Sequence, residues 1–208
     1  MERRTFLKLA AGAAAVAGIG AAGLVPALAA GKTIVYLTPG LDLPFWRFLS
    51  KGVEAAAKKA GYGFQVLDSH NSGQTQLQNA QDAIARGVAG IVLSPTDSST
   101  APSVLTLAKR AGIPVVIADI GTNSGEYASF IISDNYRGAR DVGEALAAAL
   151  KKKGWEDGSV GIIAISQARK NGQARTKGFL DGLKAGGFTG KEAGLQQMQS
   201  YTADETFK

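Results

Sequence analysis

A glycine-rich stretch near the start of the chain has the spacing of a dinucleotide-binding turn. The segment "GIGAAG" (18–23) fits G-x-G-x-x-G, and an acid, Asp42, follows about twenty residues later, where such a turn needs one for a ribose hydroxyl. A true turn of this kind lies between a strand and a helix, so that pyrophosphate meets free N–H groups at the helix start. Here the glycines lie inside an almost uncharged run of Ala, Gly, Val and Leu. The spacing therefore does not indicate a nucleotide-dependent enzyme.

The flanks of that run indicate export. Residues 1–29 begin with a basic head, continue with the apolar run and close with the small residues 27–29, which is the plan of an export signal. Arg3 and Arg4 resemble the pair of the twin-arginine motif, although Glu2 precedes them in place of Ser or Thr. The run is rich in Ala and Gly, and so is too weakly apolar to predict a membrane span. We expect a periplasmic protein, exported by the twin-arginine route.

The composition excludes several kinds of chemistry. The 208 residues include no cysteine, so thiol catalysis, disulfides and Cys-based metal sites are excluded. The one histidine, His70, cannot form a multi-histidine metal site, and without a G-x-S-x-G turn we interpret it as a turn residue at a cleft rim. The net charge of +6 is mild, and the basic run at 151–153 closes a predicted helix. We therefore expect no metal, no cofactor and no nucleic-acid partner.

Two adjacent aromatic residues could bind a sugar. Phe45 and Trp46 follow Pro44 in the first turn of a predicted helix, and neighbours on a helix point about 100° apart. One ring can thus pack on the core while the other faces a cleft, where a flat ring suits the C–H face of a sugar. The alternative is that the rings only hold the start of the helix on the core. Asp42, in the loop before them, is a further candidate for ligand binding.

Polar side chains at two other places could bind the hydroxyl edge of such a ligand. Asp119 ends the strand "IPVVIAD", where a carboxylate is costly without partners. It either accepts hydrogen bonds from ligand hydroxyls or caps the following loop. The segment 168–175 opens a later helix, and we expect at least one ligand contact in it, although any single residue there could be structural. The candidates are Arg169, Asn171, Gln173 and Arg175.

The elements that would position these residues alternate along the chain. Short strands rich in Val and Ile are followed by longer amphipathic helices, which is the pattern of βαβ units and a parallel sheet covered on both faces. The strands are predicted at 33–39, 63–69, 89–95, 113–119, 128–133 and 159–166, with a weaker one near 193–200. The helices are predicted at 44–61, 73–87, 98–112, 135–154 and 172–187.

The carboxyl ends of these strands hold the candidate residues. Ligands of open α/β sheets bind beyond those ends, and the segments 38–46, 119–123 and 166–173 follow three predicted strands. The polar residues at 94–99 also follow a strand, but helix capping explains them. Asp134 is likewise expected to cap the long helix at 135–154.

Six segments of the chain form an ordered set. They are "PFW", "GYGFQVLDSHNS", "AIARGVAGIVLSPTDSS", "AGIPVVIADI", "FIISDN" and "ARTKGF". Together they resemble the periplasmic sugar-binding receptors of ABC importers, of the ribose/galactose type, which share their fold with LacI-type regulators. The resemblance implies two similar Rossmann-like α/β domains with parallel sheets, joined by a hinge and closing on a sugar. It assigns Phe45 and Trp46 to the sugar ring and Asp119 to its hydroxyls.

Several features depart from that family's pattern. Ile120 stands where a cleft arginine commonly follows the acid, Gln173 where an arginine often opens the later helix, and Glu205 where an aromatic is frequent. These departures point to a different sugar from a simple ribose-like pyranose, or to a polyol. The family also continues with further βα units past the position of Lys208, so the resemblance implies an incomplete second domain.

The sequence therefore predicts an N-terminal α/β domain at 30–133 and a partial C-terminal one at 134–208. We expect a monomeric receptor, not an enzyme, that binds a sugar or polyol between the domains and delivers it to an ABC import permease. The alternative is a periplasmic sensor of the same fold that signals to a membrane kinase or chemoreceptor. A glycoside hydrolase with paired carboxylates would require turnover of a bound sugar, and a regulator would have a helix-turn-helix in place of the leader.

Overall fold

Strands and helices alternate along the chain. The computed structural model describes residues 32–207, so the predicted export signal lies outside the described residues. The strands are β1 (Thr33–Thr38), β2 (Gly63–Asp68), β3 (Gly90–Leu93), β4 (Val115–Ala118), β5 (Ser129–Ile131), β6 (Ser159–Ala164) and β7 (Lys191–Gln197). The helices are α1 (Pro44–Lys59), α2 (Gly73–Ala85), α3 (Ala101–Arg110), α4 (Asn135–Lys152), α5 (Lys170–Ala185) and α6 (Ala203–Phe207).

The first five strands form one parallel sheet in the order β2-β1-β3-β4-β5. Parallel neighbours need a crossover connection, and α1, α2 and α3 supply three of these. The strand order runs outward in one direction from β1 to β2 and in the other from β3 to β5. It therefore reverses between β1 and β3. Such a reversal opens a crevice beyond the carboxyl ends of the two strands, which is where ligands of open α/β sheets bind.

The core of this sheet lies against α2 and α3. Val35 and Leu37, two residues apart on β1, are fully buried and pack with Leu93 of β3 and Ile117 of β4. Alternate residues of a strand share one face, so these side chains form a continuous apolar layer. The helices contribute mostly small side chains to the layer, which lets them lie close to the sheet. The small core residues on α2 and α3 are Ala80, Ala83, Ala101 and Ala108.

The second sheet begins after α4, where β6 pairs with β7 in parallel. The two helices of this region, α4 and α5, pack with their backbones almost in contact. A Cβ added at Gly143, Gly178 or Gly182 would lie 2.1–2.2 Å from a carbonyl oxygen of the facing helix. We call residues 32–133 the first half and residues 134–207 the second half. The domain boundary predicted between residues 133 and 134 falls between β5 and α4, and it stays a prediction.

The α/β fold with parallel sheets is confirmed, whereas some helix starts differ from the prediction. α3 begins three residues later than predicted, because the Asp97 carboxylate accepts hydrogen bonds from the N–H groups of Ser99 (2.7 Å) and Thr100 (3.0 Å) and forms a turn before the helix. Thr100, the residue before α3, makes no side-chain capping bond. Within residues 94–99, the Asp97 carboxylate caps the turn that leads into the helix, so the predicted capping acts on this turn and not on the first residue of α3. Asp134 caps α4 as predicted, accepting from the Arg137 N–H at 3.0 Å.

The start of α5 also differs, with a consequence for the candidate site. This helix begins at Lys170, two residues earlier than predicted, and Arg169 is its N-cap. Asn171 therefore lies in the first turn of the helix, not in the loop before it. Among residues 32–207, no helix is long and apolar enough to cross a membrane.

Candidate ligand-binding site

A crevice separates the two halves beyond the carboxyl ends of the first sheet, and the loops after β1 and β2, on one side of the strand-order reversal, line it. The loops after these strands are tied together by Asp68, whose carboxylate accepts hydrogen bonds from the N–H groups of Leu41 (3.0 Å) and His70 (2.8 Å). His70 and Asn71 take φ values of 47° and 54°, in the left-handed region that tight turns use. His70 is exposed and lies at the rim of the crevice. This agrees with its interpretation as a turn residue.

The crevice contains a cavity of about 370 Å³. Its volume is within the range of small-molecule sites, about 300–1,000 Å³. Both halves contribute to its wall. From the first half it is lined by Pro39, Gly40, Asp42, Leu43, Trp46, His70 and Asn71, and from the second half by Arg169, Gln199, Ser200 and Tyr201.

The two candidate aromatics of α1 occupy different environments. Trp46 is 5% exposed and lines the cavity, while Phe45 is 53% exposed. Their rings meet edge to face, with centroids 4.8 Å apart and an interplanar angle of 76°, which is a favourable geometry for an aromatic pair. Trp46 thus combines core packing with a place in the cavity wall. A substitution of Trp46 would disturb the packing of α1 as well as any ligand contact.

Asp119 lies directly after β4, and its carboxylate contacts the second half. Asn171 Nδ2 donates a hydrogen bond to Asp119 Oδ2 at 2.9 Å. Within the described residues, no N–H of the following loop donates to this carboxylate, so the loop-capping alternative finds no support. Asp119 has a φ of 67°, a strained value for most residues that Asp and Asn tolerate better than others do.

Burial disfavours the charged form of Asp119. Burial raises the pKa of the carboxyl above its usual range, and this effect outweighs the positive charges of Arg175 and Arg169 and the hydrogen bond from Asn171, which lower it. The Asp119 carboxylate receives a hydrogen bond from Asn171 and can accept further ones. Ligand hydroxyl groups can donate them.

Arg169, in the second half, is hydrogen-bonded to two residues of the first half. It is 5% exposed, and it donates from Nε to the Thr96 carbonyl oxygen and from Nη2 to Asn71 Oδ1, both at 2.8 Å. Its guanidinium also lies over the ring of Tyr201, 4.7 Å from the centroid. Burial lowers the pKa of Arg169 from its ordinary value, but a guanidinium stays charged at any physiological pH. Two of its donors thus bind protein acceptors.

The other predicted residues differ in burial and in their distance from the cavity. Asn171 is 3% exposed, and its Oδ1 is buried without a hydrogen-bond partner. Gln173 is exposed and donates to the Gln167 carbonyl oxygen at 2.8 Å, away from the cavity. Asp42 is an exposed residue in the cavity wall. The structure thus brings Trp46, Asp42 and Arg169 to the cavity and pairs Asp119 with Asn171. Phe45 contacts Trp46 but does not line the cavity, and Gln173 stands apart from both groups.

Three residues of the crevice were missed as individual candidates. Asn71 bridges the halves: its Nδ2 donates to the Gln199 carbonyl oxygen at 3.0 Å, while its Oδ1 accepts from Arg169. Ser98 does so too, since its N–H donates to the Ala168 carbonyl oxygen and its Oγ accepts from the Lys170 N–H, both at 3.0 Å. Both residues follow strands of the first sheet, which was the available signal. Tyr201 follows β7 by four residues, but the strand near 193–200 was predicted only as a weaker one, and no candidate was named after it.

A larger cavity, of about 640 Å³, lies almost wholly in the second half, with Ser133 of the first half at its edge. Its wall is formed by α4, α5 and the consecutive residues 161–165, and much of it is apolar, including Val142, Ile163 and Phe179. The smaller cavity is the better candidate for a polar ligand, because both halves and several polar side chains line it. No group of three or more His, Cys, Asp or Glu side chains within residues 32–207 is arranged to hold a metal ion.

The parallel sheets, the reversed strand order and the crevice between two halves are features of open α/β folds that bind ligands beyond the carboxyl ends of their strands. The sequence profile described as "Periplasmic binding protein domain" matches residues 34–206. The chain therefore belongs to the periplasmic binding protein domain family.

Individual relatives share part of their length with this chain. It is 36% identical over 145 residues to the ribose import binding protein of Escherichia coli K12, covering 68% of this chain and 48% of that protein. It is 35% identical over 153 residues to the D-apiose import binding protein of Paraburkholderia graminis, covering 73% and 48%. A solved carbohydrate transporter solute-binding protein from Agrobacterium radiobacter, in complex with D-arabinose, superposes with a TM-score of 0.75 and 27% identity, covering 83% and 59%. The chain thus spans about half the length of the curated relatives it matches.

Proposed function

We propose that this chain belongs to an extracytoplasmic solute receptor and binds a sugar or polyol between its two halves. The relatives at 35–36% identity are import binding proteins named for ribose and apiose, and the Agrobacterium radiobacter protein holds D-arabinose. The names of these relatives support the ligand class. The chemistry of the crevice supports it independently, because an aromatic ring, a carboxylate and amide groups suit a hydroxyl-rich ring.

The observation that carries the proposal is the pair formed by Asp119 and Asn171. It joins the carboxyl edge of the first sheet to the first turn of α5. One acceptor atom of this pair has no hydrogen bond: Asn171 Oδ1 is buried without a partner. This is unusual, because a buried polar atom without a hydrogen bond is costly. At the same edge of the sheet, Thr38 Oγ1 at the end of β1 is also buried without a partner. Ligand hydroxyls would satisfy such groups by acting as donors and acceptors at once.

The partner and the location follow from the same proposal. We propose that the receptor is a monomer and delivers its ligand to an ABC import permease in the membrane, without catalysis. We also propose export to the periplasm by the twin-arginine route, on the basis of Arg3 and Arg4 and the apolar run that follows them. Closure of two halves on a ligand is a common mode of such binding.

The test is calorimetric titration of the purified chain with D-ribose, D-apiose, D-arabinose and myo-inositol, followed by the variant Asp119→Asn. We expect at least one of these compounds to bind. We expect Asp119→Asn to weaken that binding about tenfold, or ~1.4 kcal/mol, because a hydrogen bond to a charged acceptor is worth more than one to an amide. Asn also suits the left-handed backbone at this position.

The matched control is Asp141→Asn, which changes the same groups at an exposed position on α4. It should leave the affinity unchanged. If none of the four compounds binds to a chain whose circular dichroism and thermal transition show that it is folded, the proposed ligand class is wrong. If Asp141→Asn weakens binding as much as Asp119→Asn does, the effect is one of overall charge and Asp119 is not in the site.

A further inference from the structure

The turn after β7 is built by one carboxylate. Glu205, in the first turn of α6, accepts hydrogen bonds from three consecutive N–H groups, those of Gln199, Ser200 (2.8 Å) and Tyr201 (2.8 Å), and from Ser200 Oγ at 3.1 Å. The backbone bonds, led by that from Gln199, lower the pKa of Glu205 below its usual range. The turn is therefore bound to a charged acceptor, and its conformation depends on Glu205.

That turn presents the side chain of Tyr201 in a defined position. The φ of Tyr201 is 60°, in the left-handed region that bulky residues rarely adopt. Such a conformation persists where the surroundings determine it, as the bonds to Glu205 do here. The ring is also fixed by Arg169, whose guanidinium lies 4.7 Å from its centroid and is itself held by Asn71 and Thr96.

The fixed ring is part of the wall of the 370 Å³ cavity. Trp46 reaches this cavity from the first half, and Tyr201 reaches it from the second half. Tyrosine and tryptophan present a large flat surface with few rotatable bonds, so they bind at a low entropic cost. The wall of the cavity thus contains an aromatic ring from each half, which a ring-shaped ligand in the cavity could contact.

We propose that Tyr201 is a ligand-contact residue that determines which ring-shaped ligands fit the crevice, and that Glu205 is the residue that positions it. Gln199 and Ser200 belong to the same turn and lie beside it in the cavity wall. Arg169 is a second support, since it holds the Tyr201 ring against the first half. This inference rests on the proposed function, because it concerns the ligand of the same crevice.

The test uses the purified chain and calorimetric titration with D-ribose and with myo-inositol. We expect Tyr201→Ala to weaken binding of the better of the two at least tenfold, and to change the ratio of the two affinities. Tyr201→Phe keeps the ring and should change the affinity less than threefold. The matched control is Tyr62→Ala, which removes a partly exposed tyrosine from the loop between α1 and β2 and should leave the affinity unchanged.

The role of Glu205 is tested by a double-mutant cycle. Glu205→Gln should weaken binding in the parent chain, because an amide cannot accept the same set of bonds. It should cause no further loss in the Tyr201→Ala background, since a positioning residue has no effect once the residue it positions is gone. Equal losses in both backgrounds would overturn the positioning role.

A measurement on the parent chain tests the inference even if a variant fails to fold. Hydroxyl-radical footprinting of the parent chain should show that D-ribose or myo-inositol lowers the oxidation rate of Tyr201 but not of Tyr62. Unchanged oxidation of Tyr201 under saturating sugar, or unchanged affinity in Tyr201→Ala, would overturn this inference and leave the proposed function standing. Failure of the parent chain to bind any of the four compounds would overturn the proposed function, and this inference with it.

Discussion

At the scale of single residues, Asp119 combines three features that rarely occur together. It has a positive φ of 67°, its carboxyl is partly removed from water, and Asn171 holds it from the other half. Strained and desolvated residues cluster at functional sites, because the strain serves binding and is compensated elsewhere in the fold. Asp119 is therefore expected to lower the stability of the unliganded chain.

The pH dependence of stability tests this expectation. Burial raises the pKa of Asp119 in the folded chain, so as pH rises the unfolded chain loses this proton before the folded chain does. The free energy of unfolding, compared with that of Asp119→Asn, should therefore be highest at or below about pH 4, the ordinary range of aspartate, and should fall as pH rises through the raised value. Urea unfolding of both chains between pH 4 and pH 8 measures the difference. If the difference in the free energy of unfolding between the two chains stays constant or grows with pH, the pKa of Asp119 is not raised in the folded chain.

At the scale of elements, the closest packing lies between α4 and α5. Glycines on both helices let the backbones approach until an added Cβ would meet a carbonyl oxygen at 2.1–2.2 Å, far inside van der Waals contact. Gly143, Gly178 and Gly182 therefore determine the spacing of this helix pair. The spacing matters for the site because α5 carries Asn171 in its first turn and Arg169 at its N-cap.

The glycine contact gives a prediction with a built-in control. Gly182→Ala should lower the free energy of unfolding by about 1–3 kcal/mol, because the methyl group would force the two helices apart. Gly138 lies on α4, and a Cβ added there would have nothing within 4 Å. Gly138→Ala should therefore raise the free energy of unfolding by about 0.5–1 kcal/mol, because alanine has the better helix propensity. Thermal and urea unfolding measure both. Equal effects of the two substitutions would mean that α4 and α5 are not packed at this distance.

At the scale of the whole molecule, the two halves meet through a network of hydrogen bonds on one side of the crevice. Arg169 reaches Thr96 and Asn71, Asn71 reaches Gln199, and Ser98 binds the start of α5. Most of these bonds use backbone groups, which are fixed by the strands and helices around them. Arg169 is buried, makes two of these hydrogen bonds and also lies over the Tyr201 ring, so it should control how readily the halves separate.

Removal of this guanidinium should open the molecule. Arg169→Met leaves the buried Thr96 carbonyl without a donor, which costs about 1–3 kcal/mol, and it removes the bond to the exposed Asn71 side chain. Each 1.4 kcal/mol shifts the ratio of open to closed chains by about tenfold. Small-angle X-ray scattering should show a larger radius of gyration for the unliganded variant. Arg86→Met is the control, because Arg86 bonds only to Gln65 and Asp82 within the first half. The interpretation would fail if both variants kept the parent radius.

The predictability of the site differed from residue to residue. Asp119 and Trp46 were predicted as ligand contacts because they follow buried strands at the carboxyl edge of a sheet, and that edge is where ligands of open α/β sheets bind; their ligand contact stays a prediction. The two aromatics were expected to face different directions, and the structure adds that Trp46 is the buried one. Arg169 was found as a polar residue of the crevice, but the sequence could not tell that its donors bind Thr96 and Asn71. Tyr201 was not found, because its place depends on a turn held by Glu205.

The sequence by itself determined the alternation of strands and helices, the parallel α/β fold and the acid and aromatics at the sheet edge. These features depend on the periodicity of apolar residues and on local chain geometry, which the order of amino acids specifies directly. The tertiary structure decided which polar groups bind each other and which remain free for a ligand. Asn71 and Arg169 are 98 positions apart and Asp119 and Asn171 are 52 apart. Such pairs form only because the sheet and the packed helices bring the two halves together.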